Sequence, residues 1–317
     1  MVRGVQDSPP VELGSRLRSL RPDRSPAAIR AYRGARRVAE RFGIQFVVKS
    51  FYSPIPDLRA LPDDVFERRS ALRGIDLALD RQVALVEGEL APYLGEFEPP
   101  EQATGHPGEF QLANGSYPPV DADLLYGIVR HLKPRRVLEL GSGHSTLVTC
   151  MAGAANARDG HPVRIECFDP HPSVVSAATP GIARLEPLPA QQVPLAEFEG
   201  LQAGDVLFVD TTHTVKLGSD VNFVVLEVLP LLAPGVVVHF HDIFLPGEYP
   251  RPWVEDLGLA WAEQYLLQAF LAMNPGYEVL LSASALAAEH PDVLAGAVGS
   301  WRLRGIPGAF WIRRRSA

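Results

Sequence analysis

The chain has 317 residues, 46% of them hydrophobic, which suffices for one large domain or for a domain with an extension. Its formal net charge of −7 argues against a nucleic-acid surface, which needs clustered Lys and Arg, and points to a small-molecule substrate. No run reaches the roughly 18 apolar residues of a membrane helix, and the first residues lack the apolar stretch of a signal peptide, so no membrane partner and a cytoplasmic location are expected.

The charge is uneven. Residues 1–50 hold eleven Lys/Arg, among them Arg30, Arg33, Arg36, Arg37 and Arg41, against four acids, so this end carries +7 and the remainder −14. Pro9, Pro10, Pro22 and Pro26 interrupt the stretch and no aromatic ladder accompanies it, which favours a solvated helix face behind a disordered tail over residues 1–25. Gly43 to Tyr52 (GIQFVVKSFY) has the composition of a strand or an extended arm and ends at the turn Ser53 to Asp57. Leu72, Ile75, Leu79, Val83, Val86 and Leu90 recur at steps of three or four and predict an amphipathic helix that docks on a core. Glu98 to Pro119, rich in Pro and Gly, reads as a connector.

From Asp121 helices and strands alternate. Asp121 to Leu132 predicts a helix, then strands follow at Arg136 to Leu140, Val163 to Phe168, Asp205 to Asp210 and Gly235 to His241, with helices at Val221 to Leu232 and Trp261 to Met273. Tyr277 to Leu281 and Ala309 to Arg313 predict closing strands. Strands that are apolar throughout and separated by helices imply a parallel sheet covered on both faces, a doubly wound α/β domain. The two cysteines, Cys150 and Cys167, fit buried thiols better than a disulfide or a zinc site.

In such sheets ligands bind beyond the carboxyl ends of the strands, and polar residues stand at each of those ends. Gly141, Ser142, Gly143 and His144 follow the first strand, Asp169 the second, Asp210, Thr211, Thr212 and His213 a later one, and His241 and Asp242 the next. A Gly-Ser-Gly turn opening a helix cradles a nucleotide-like ligand, although Thr146 stands where a dinucleotide fingerprint has its third glycine. Asp169, 26 residues beyond Gly143, suits the cis-diol of a ribose, or else it caps the Pro170-His171-Pro172 turn.

The ordered segments LELGSGHST, ECFDP, GDVLFVDTTHT and LLAPGVVVHFHDIFLPGEYP resemble the class I S-adenosylmethionine-dependent methyltransferases, and more narrowly a bacterial subfamily with D-[ST]-[ST]-H and H-x-H-D-I-F motifs. The resemblance implies a mostly parallel, seven-stranded Rossmann-like sheet with a helical N-terminal extension, residues 26–115 forming the extension and 116–317 the methyltransferase domain. It assigns Glu139, Gly141, Ser142 and Gly143 to the methionine end of S-adenosylmethionine, Asp169 to its ribose, the Gln191 to Pro194 turn to its adenine, and Asp210 to the transferred methyl group. Asp210, His213, His241 and Asp242 are the catalytic candidates.

Beside the plain reading of histidines, His239 among them, satisfied in the core and Asp242 as a helix cap, two functional readings of those four residues stay open. They are ligands for a divalent metal (Mg, Mn, Fe or Zn), as carboxylates at the same two strand ends are in catechol-type methyltransferases, although Ile243 replaces the asparagine ligand of that pattern. Alternatively a histidine is the general base, oriented by Asp210 or Asp242. Strand alternation puts His239 and His241 on one face and Asp242 on the other, so convergence requires a bend. Pro246 to Trp253 has the composition of a substrate lid or of a plain bridge between strand and helix, and Glu263 and Tyr265 either reach a substrate or belong to a helix packed in the core.

The expectation is therefore methyl transfer to a hydroxyl, or less favoured an amine, of a small molecule, with a homo-oligomer formed through the N-terminal extension. The rival expectations are a metal-dependent oxidase, hydroxylase or hydrolase on the same fold, and a noncatalytic binding protein.

Overall fold

The structure, a computed structural model, describes residues 26–49, 51–106, 108–303 and 305–316. The tail expected over residues 1–25 lies outside them. Contacts divide the chain into two compact units at Leu61/Pro62.

In the first unit the helix Pro26–Glu40 has no buried residue, and its arginines face solvent, with Arg36 paired to Glu40 at 3.3 Å. Residues 44–49 are irregular and belong to no sheet, so of the two expectations for this stretch the arm is realised and the strand is not. Phe46 packs edge-on against Tyr32 at 5.7 Å, and Lys49 pairs with Asp57 at 2.6 Å.

The second unit is built on a seven-stranded sheet: β1 Arg136–Leu140, β2 Arg164–Phe168, β3 Ile182–Glu186, β4 Val206–Val209, β5 Val237–Phe240, β6 Tyr277–Ser282 and β7 Phe310–Arg314. Their order is β3-β2-β1-β4-β5-β7-β6. The pairs from β3 to β5 are parallel, and β7 runs antiparallel to both β5 and β6. Strand order therefore reverses between β1 and β4, which puts the predicted crevice between their carboxyl ends.

Alternation along each strand feeds two cores. Val137, Ile165, Cys167, Val206 and Phe208 enter one cluster, while Leu138, Leu140, Phe168, Leu207 and Val209 enter the other, so both faces are covered and the strands read as continuous apolar runs. β3, which composition does not reveal, is an edge strand whose charges Arg184 and Glu186 interrupt any apolar run.

The helix expected from Leu72 begins instead at Leu79. Leu72, Gly74 and Ala78 have φ of 43°, 78° and 51°, left-handed values that no α-helix accommodates. From Leu79–Ala84 the chain passes through a π-helical turn, Leu85–Leu90, into Ala91–Leu94, burying Val86, Leu90 and Leu94. That turn shifts the phase of the apolar face, a displacement that spacing does not register. The helices Pro119–Leu132 and His144–Arg158 pack against each other, and two short helices after β6, Ala283–Glu289 and Pro291–Ala297, complete the layer. No helix among the described residues is long and apolar enough to cross a membrane.

Candidate functional site

The site is built from the carboxyl ends of β2, β1, β4 and β5, which are neighbours in that order. After β1, Gly141 takes φ +87°, and a Cβ there would stand 1.9 Å from the carbonyl oxygen of Asp210. Glycine is needed at this position because the backbone beyond β1 presses on the backbone beyond β4. Gly143 differs, since a Cβ there meets nothing within 4 Å. Its neighbourhood is open space at the start of the helix His144–Arg158, whose first N–H groups lack helical partners.

Asp169 ties β2 to this turn. Its Oδ2 accepts from Ser142 N at 2.9 Å and Ser142 Oγ at 2.6 Å, and its Oδ1 accepts from His171 N at 2.7 Å. The capping role is thus present, and the carboxylate retains lone pairs for a further donor. Glu139 is fully buried and turned into the first turn of the following helix, where Ser145 Oγ donates to it at 2.7 Å; burial outweighs its hydrogen bonds and pushes its carboxyl up to about 7.

A cluster of acids and imidazoles lies beside the turn. His213 Nδ1 is 2.7 Å from Glu263 Oε2, and its Nε2 is 3.2 Å from Asp210 Oδ1 and 3.6 Å from Asp242 Oδ2. His241 Nε2 is 3.5 Å from Asp242 Oδ1, and its Nδ1 is 3.9 Å from Asp121 Oδ2. Trp261 covers His213 with ring centroids 4.4 Å apart, and Tyr117 stacks on His241 at 4.7 Å. Asp210 is the accessible member, its side chain 31% exposed against 12% for Asp242 and 6% for His213.

Two site residues other than glycine have left-handed backbones, His213 at φ 55° and Asp242 at φ 56°. Each costs on the order of 1–3 kcal/mol. At Asp242 this conformation is the bend that strand alternation requires, and it brings the Asp242 carboxylate back to His241. At His213 the carbonyl accepts from Ala262 N and Glu263 N at 3.0 and 3.2 Å, so the strained turn is held by the segment that precedes the helix Glu263–Leu271.

The electrostatics follow from the packing. Burial works against the charge of Asp210, but the nearby His241 and the hydrogen bond from His213 outweigh it and hold the carboxyl down at about 2. His213 is raised well above the ordinary histidine value, because Asp210 and Glu263 overcome the burial that would lower it. His241 is raised too, by Asp242, Asp210 and Asp121 against its own burial. Asp121, completely buried, is pushed up to about 6 by burial and accepts from Gly308 N at 2.8 Å.

Residues 138–243, which run from β1 to the residue after Asp242, match a family model described as "Methyltransferase domain". This segment carries the similarity of a methyltransferase domain. An uncharacterized protein of Archaeoglobus fulgidus is 29% identical over 163 residues, covering 48% of this chain and 72% of that protein. Among solved structures, a methyltransferase from Geobacter sulfurreducens is 15% identical with a TM-score of 0.36, covering 62% of this chain and 78% of that one. An O-methyltransferase from Bacillus cereus in complex with SAH is 15% identical with a TM-score of 0.35, covering 75% and 97% respectively.

Within residues 138–243 the structure brings Gly141, Ser142, Gly143 and Asp169 together on one side of the reversal point, and Asp210, His213, His241 and Asp242 on the other. Glu139 departs from its expected place, since its carboxyl faces the protein interior and steadies the turn from beneath. His239 stands outside the site. Its ring lies between Phe208 and Trp311, 4.3 and 4.5 Å away, and burial drives it to the neutral form. Among the described residues no group of three or more His, Cys, Asp and Glu side chains forms a metal-holding arrangement, so the metal expectation for Asp210, His213, His241 and Asp242 has no support there. Both ring nitrogens of His213 face carboxylates, which favours protons on both and leaves no lone pair for an ion.

Asp121 was not legible as a site residue, and Glu263, expected near a substrate, stands instead behind the His213 imidazole. Each stands near the start of a helix that spacing does reveal, and the available signal was a pair of polar residues, Asp121 with Asp123 and Glu263 with Gln264, in a buried first turn. The Pro246 to Trp253 loop is packed down: Tyr249 is buried with its hydroxyl accepting from Gln264 N at 3.0 Å, and Trp253 meets both Phe244 and Trp261 edge-on at 5.4 Å. Its Tyr249 and Trp253 pack edge-on against Trp261, the ring that covers His213. Tyr265 is exposed and bonds Glu248 from that loop at 2.5 Å.

Replacing Asp169 by Ala removes the anchor of Ser142 together with the carboxylate that the sequence resemblance assigns to a ribose. A charged hydrogen bond contributes about 1.5–3 kcal/mol, so affinity for S-adenosylhomocysteine is expected to fall by about 10- to 150-fold by isothermal titration calorimetry.

Proposed function

We propose that this protein transfers a methyl group from S-adenosylmethionine to a hydroxyl group of a small molecule. The observation that carries the reading is the abutment of Gly141 on the carbonyl of Asp210. Through it the glycine turn and the acid/imidazole cleft share one wall, as direct transfer between a donor and an acceptor requires. The residues fit this donor: open space at Gly143 admits its amino-acid end, Asp169 offers a diol acceptor, and the turn holds no basic residue of the kind a phosphate would call for.

The bound donor supplies a methyl group on a sulfonium. Transfer breaks the S–CH3 bond, forms an O–CH3 bond and leaves the acceptor's hydroxyl proton to be removed. Asp210, ionised and open on one side, faces the methyl group in transit and helps to stabilise the charge that His241 acquires. His241 takes the proton, stabilised as it charges by Asp242 and Asp121. Fixed dipoles and charges already in place spare the reaction the cost of reorganising solvent.

The first test is binding. Calorimetry with S-adenosylmethionine and S-adenosylhomocysteine is expected to give one site per chain, and ligand at about 100 times its dissociation constant should stabilise the protein by roughly 2.7 kcal/mol in a thermal-shift experiment. Absence of heat and of any shift with both compounds would sink the reading.

A further inference from the structure

Asp210 and Asp242 end neighbouring strands and direct their carboxylates into one cleft, an arrangement that is unfavourable unless a cation lies between them. His213 Nε2 occupies that position, 3.2 Å from Asp210 Oδ1 and 3.6 Å from Asp242 Oδ2. Its other nitrogen meets Glu263 Oε2 at 2.7 Å. We propose that Glu263 is a positioning residue, which holds the His213 ring as a built-in cation between Asp210 and Asp242.

Three independent features of the geometry support this. Glu263 is 1% exposed and its Oε1 has no hydrogen-bond partner, so a carboxylate costly to bury is committed through its one engaged oxygen to His213. The same turn holds the backbone, with Ala262 N and Glu263 N both donating to the His213 carbonyl, so ring and main chain are clamped from one place. Trp261 lies across the imidazole at 4.4 Å and shields it from solvent. The groups around the ring are Asp210, Asp242, Glu263 and Trp261, with the His241 imidazole on the other oxygen of Asp242, and no Lys or Arg pairs with these three acids among the described residues. The upward displacement of the His213 pKa agrees with the geometry.

The two histidines of the cleft therefore have different tasks. His213, with carboxylates at both nitrogens, is a fixed charge that aims Asp210. His241 has no carboxylate at hydrogen-bond distance clamping its buried Nδ1, the nearest being Asp121 Oδ2 at 3.9 Å, and its Nε2 stands 3.5 Å from Asp242 Oδ1, so its ring is not locked between acids as that of His213 is. This division rests on the reading of the cleft as an acceptor site, but its test does not use methyl transfer.

The test is nitrogen NMR of the full-length protein labelled with 15N-histidine, the His213 signals being assigned by their loss in His213→Gln. Wild-type protein at neutral pH is expected to show both His213 nitrogens protonated, with a slowly exchanging Nδ1–H, and to be unchanged by magnesium or zinc chloride. In Glu263→Gln that Nδ1–H signal should be lost and the ring should become neutral, while Glu263→Asp should retain the charged ring. A purely structural role for Glu263 would lower the melting temperature and leave the His213 signals of the folded protein in place, which would overturn the assignment. So would a neutral His213 in the wild type, or a His213 shift on stoichiometric metal binding. The wild-type spectrum decides even if Glu263→Gln does not fold. Failure of the methyltransferase reading would appear separately, as no binding of either adenosyl ligand with the His213 spectrum as expected.

Discussion

Methyl transfer by His241→Gln protein is expected to fall by about 10²–10⁴-fold, the range that a positioned general base contributes. Affinity for S-adenosylhomocysteine should be retained, because His241 ends β5 while the glycine turn and Asp169 follow β1 and β2. The measurement is a single-turnover assay with labelled donor and an acceptor recovered from host extract. The pH profile gives the sign. His241 must be neutral to accept a proton, and Asp242, Asp210 and Asp121 outweigh burial to raise its pKa above the ordinary 6.5, so the rate should rise with pH through a midpoint above that value. Asp242→Asn removes a negative charge beside the ring, makes the protonated form less stable and moves the midpoint to lower pH. A midpoint indifferent to Asp242 would show that another group accepts the proton.

Gly141 and Gly143 are expected to respond to alanine in opposite ways. Gly141→Ala places a Cβ in a left-handed backbone and within 1.9 Å of the Asp210 carbonyl oxygen. Strain of about 1–3 kcal/mol and overpacking of about 1–3 kcal/mol together predict a loss of about 2–6 kcal/mol, read as a lower midpoint in urea. Gly143→Ala, with extended backbone and nothing within 4 Å, should unfold at the wild-type midpoint. It should nonetheless weaken S-adenosylhomocysteine binding, because its methyl group occupies the space assigned to the donor. Equal stability of both variants would remove the shared wall on which the proposed function rests.

The contrast between these glycines shows where sequence reading stops. The motif makes both of them ligand contacts, yet only the fold reveals that Gly141 is required by another strand's backbone, brought there from a position 69 residues later in the chain. The strand ends were legible because parallel strands covered on both faces leave polar residues nowhere to go except the ends, and Asp169, Asp210, His213, His241 and Asp242 all mark them. β3 was not, because an edge strand carries charges that erase the apolar signal.

Sequence alone determined the doubly wound sheet and the polar residues that stand at the carboxyl ends of its strands, since apolar periodicity and polar punctuation are local properties of the chain. The tertiary structure decided which of those residues face one another. It turned Glu139 inward, set His239 in the core, bent Asp242 back towards His241 and put Asp121 and Glu263 behind the two imidazoles. Those outcomes depend on contacts between segments far apart in sequence, where charge, burial and backbone strain are balanced only after the strands have assembled.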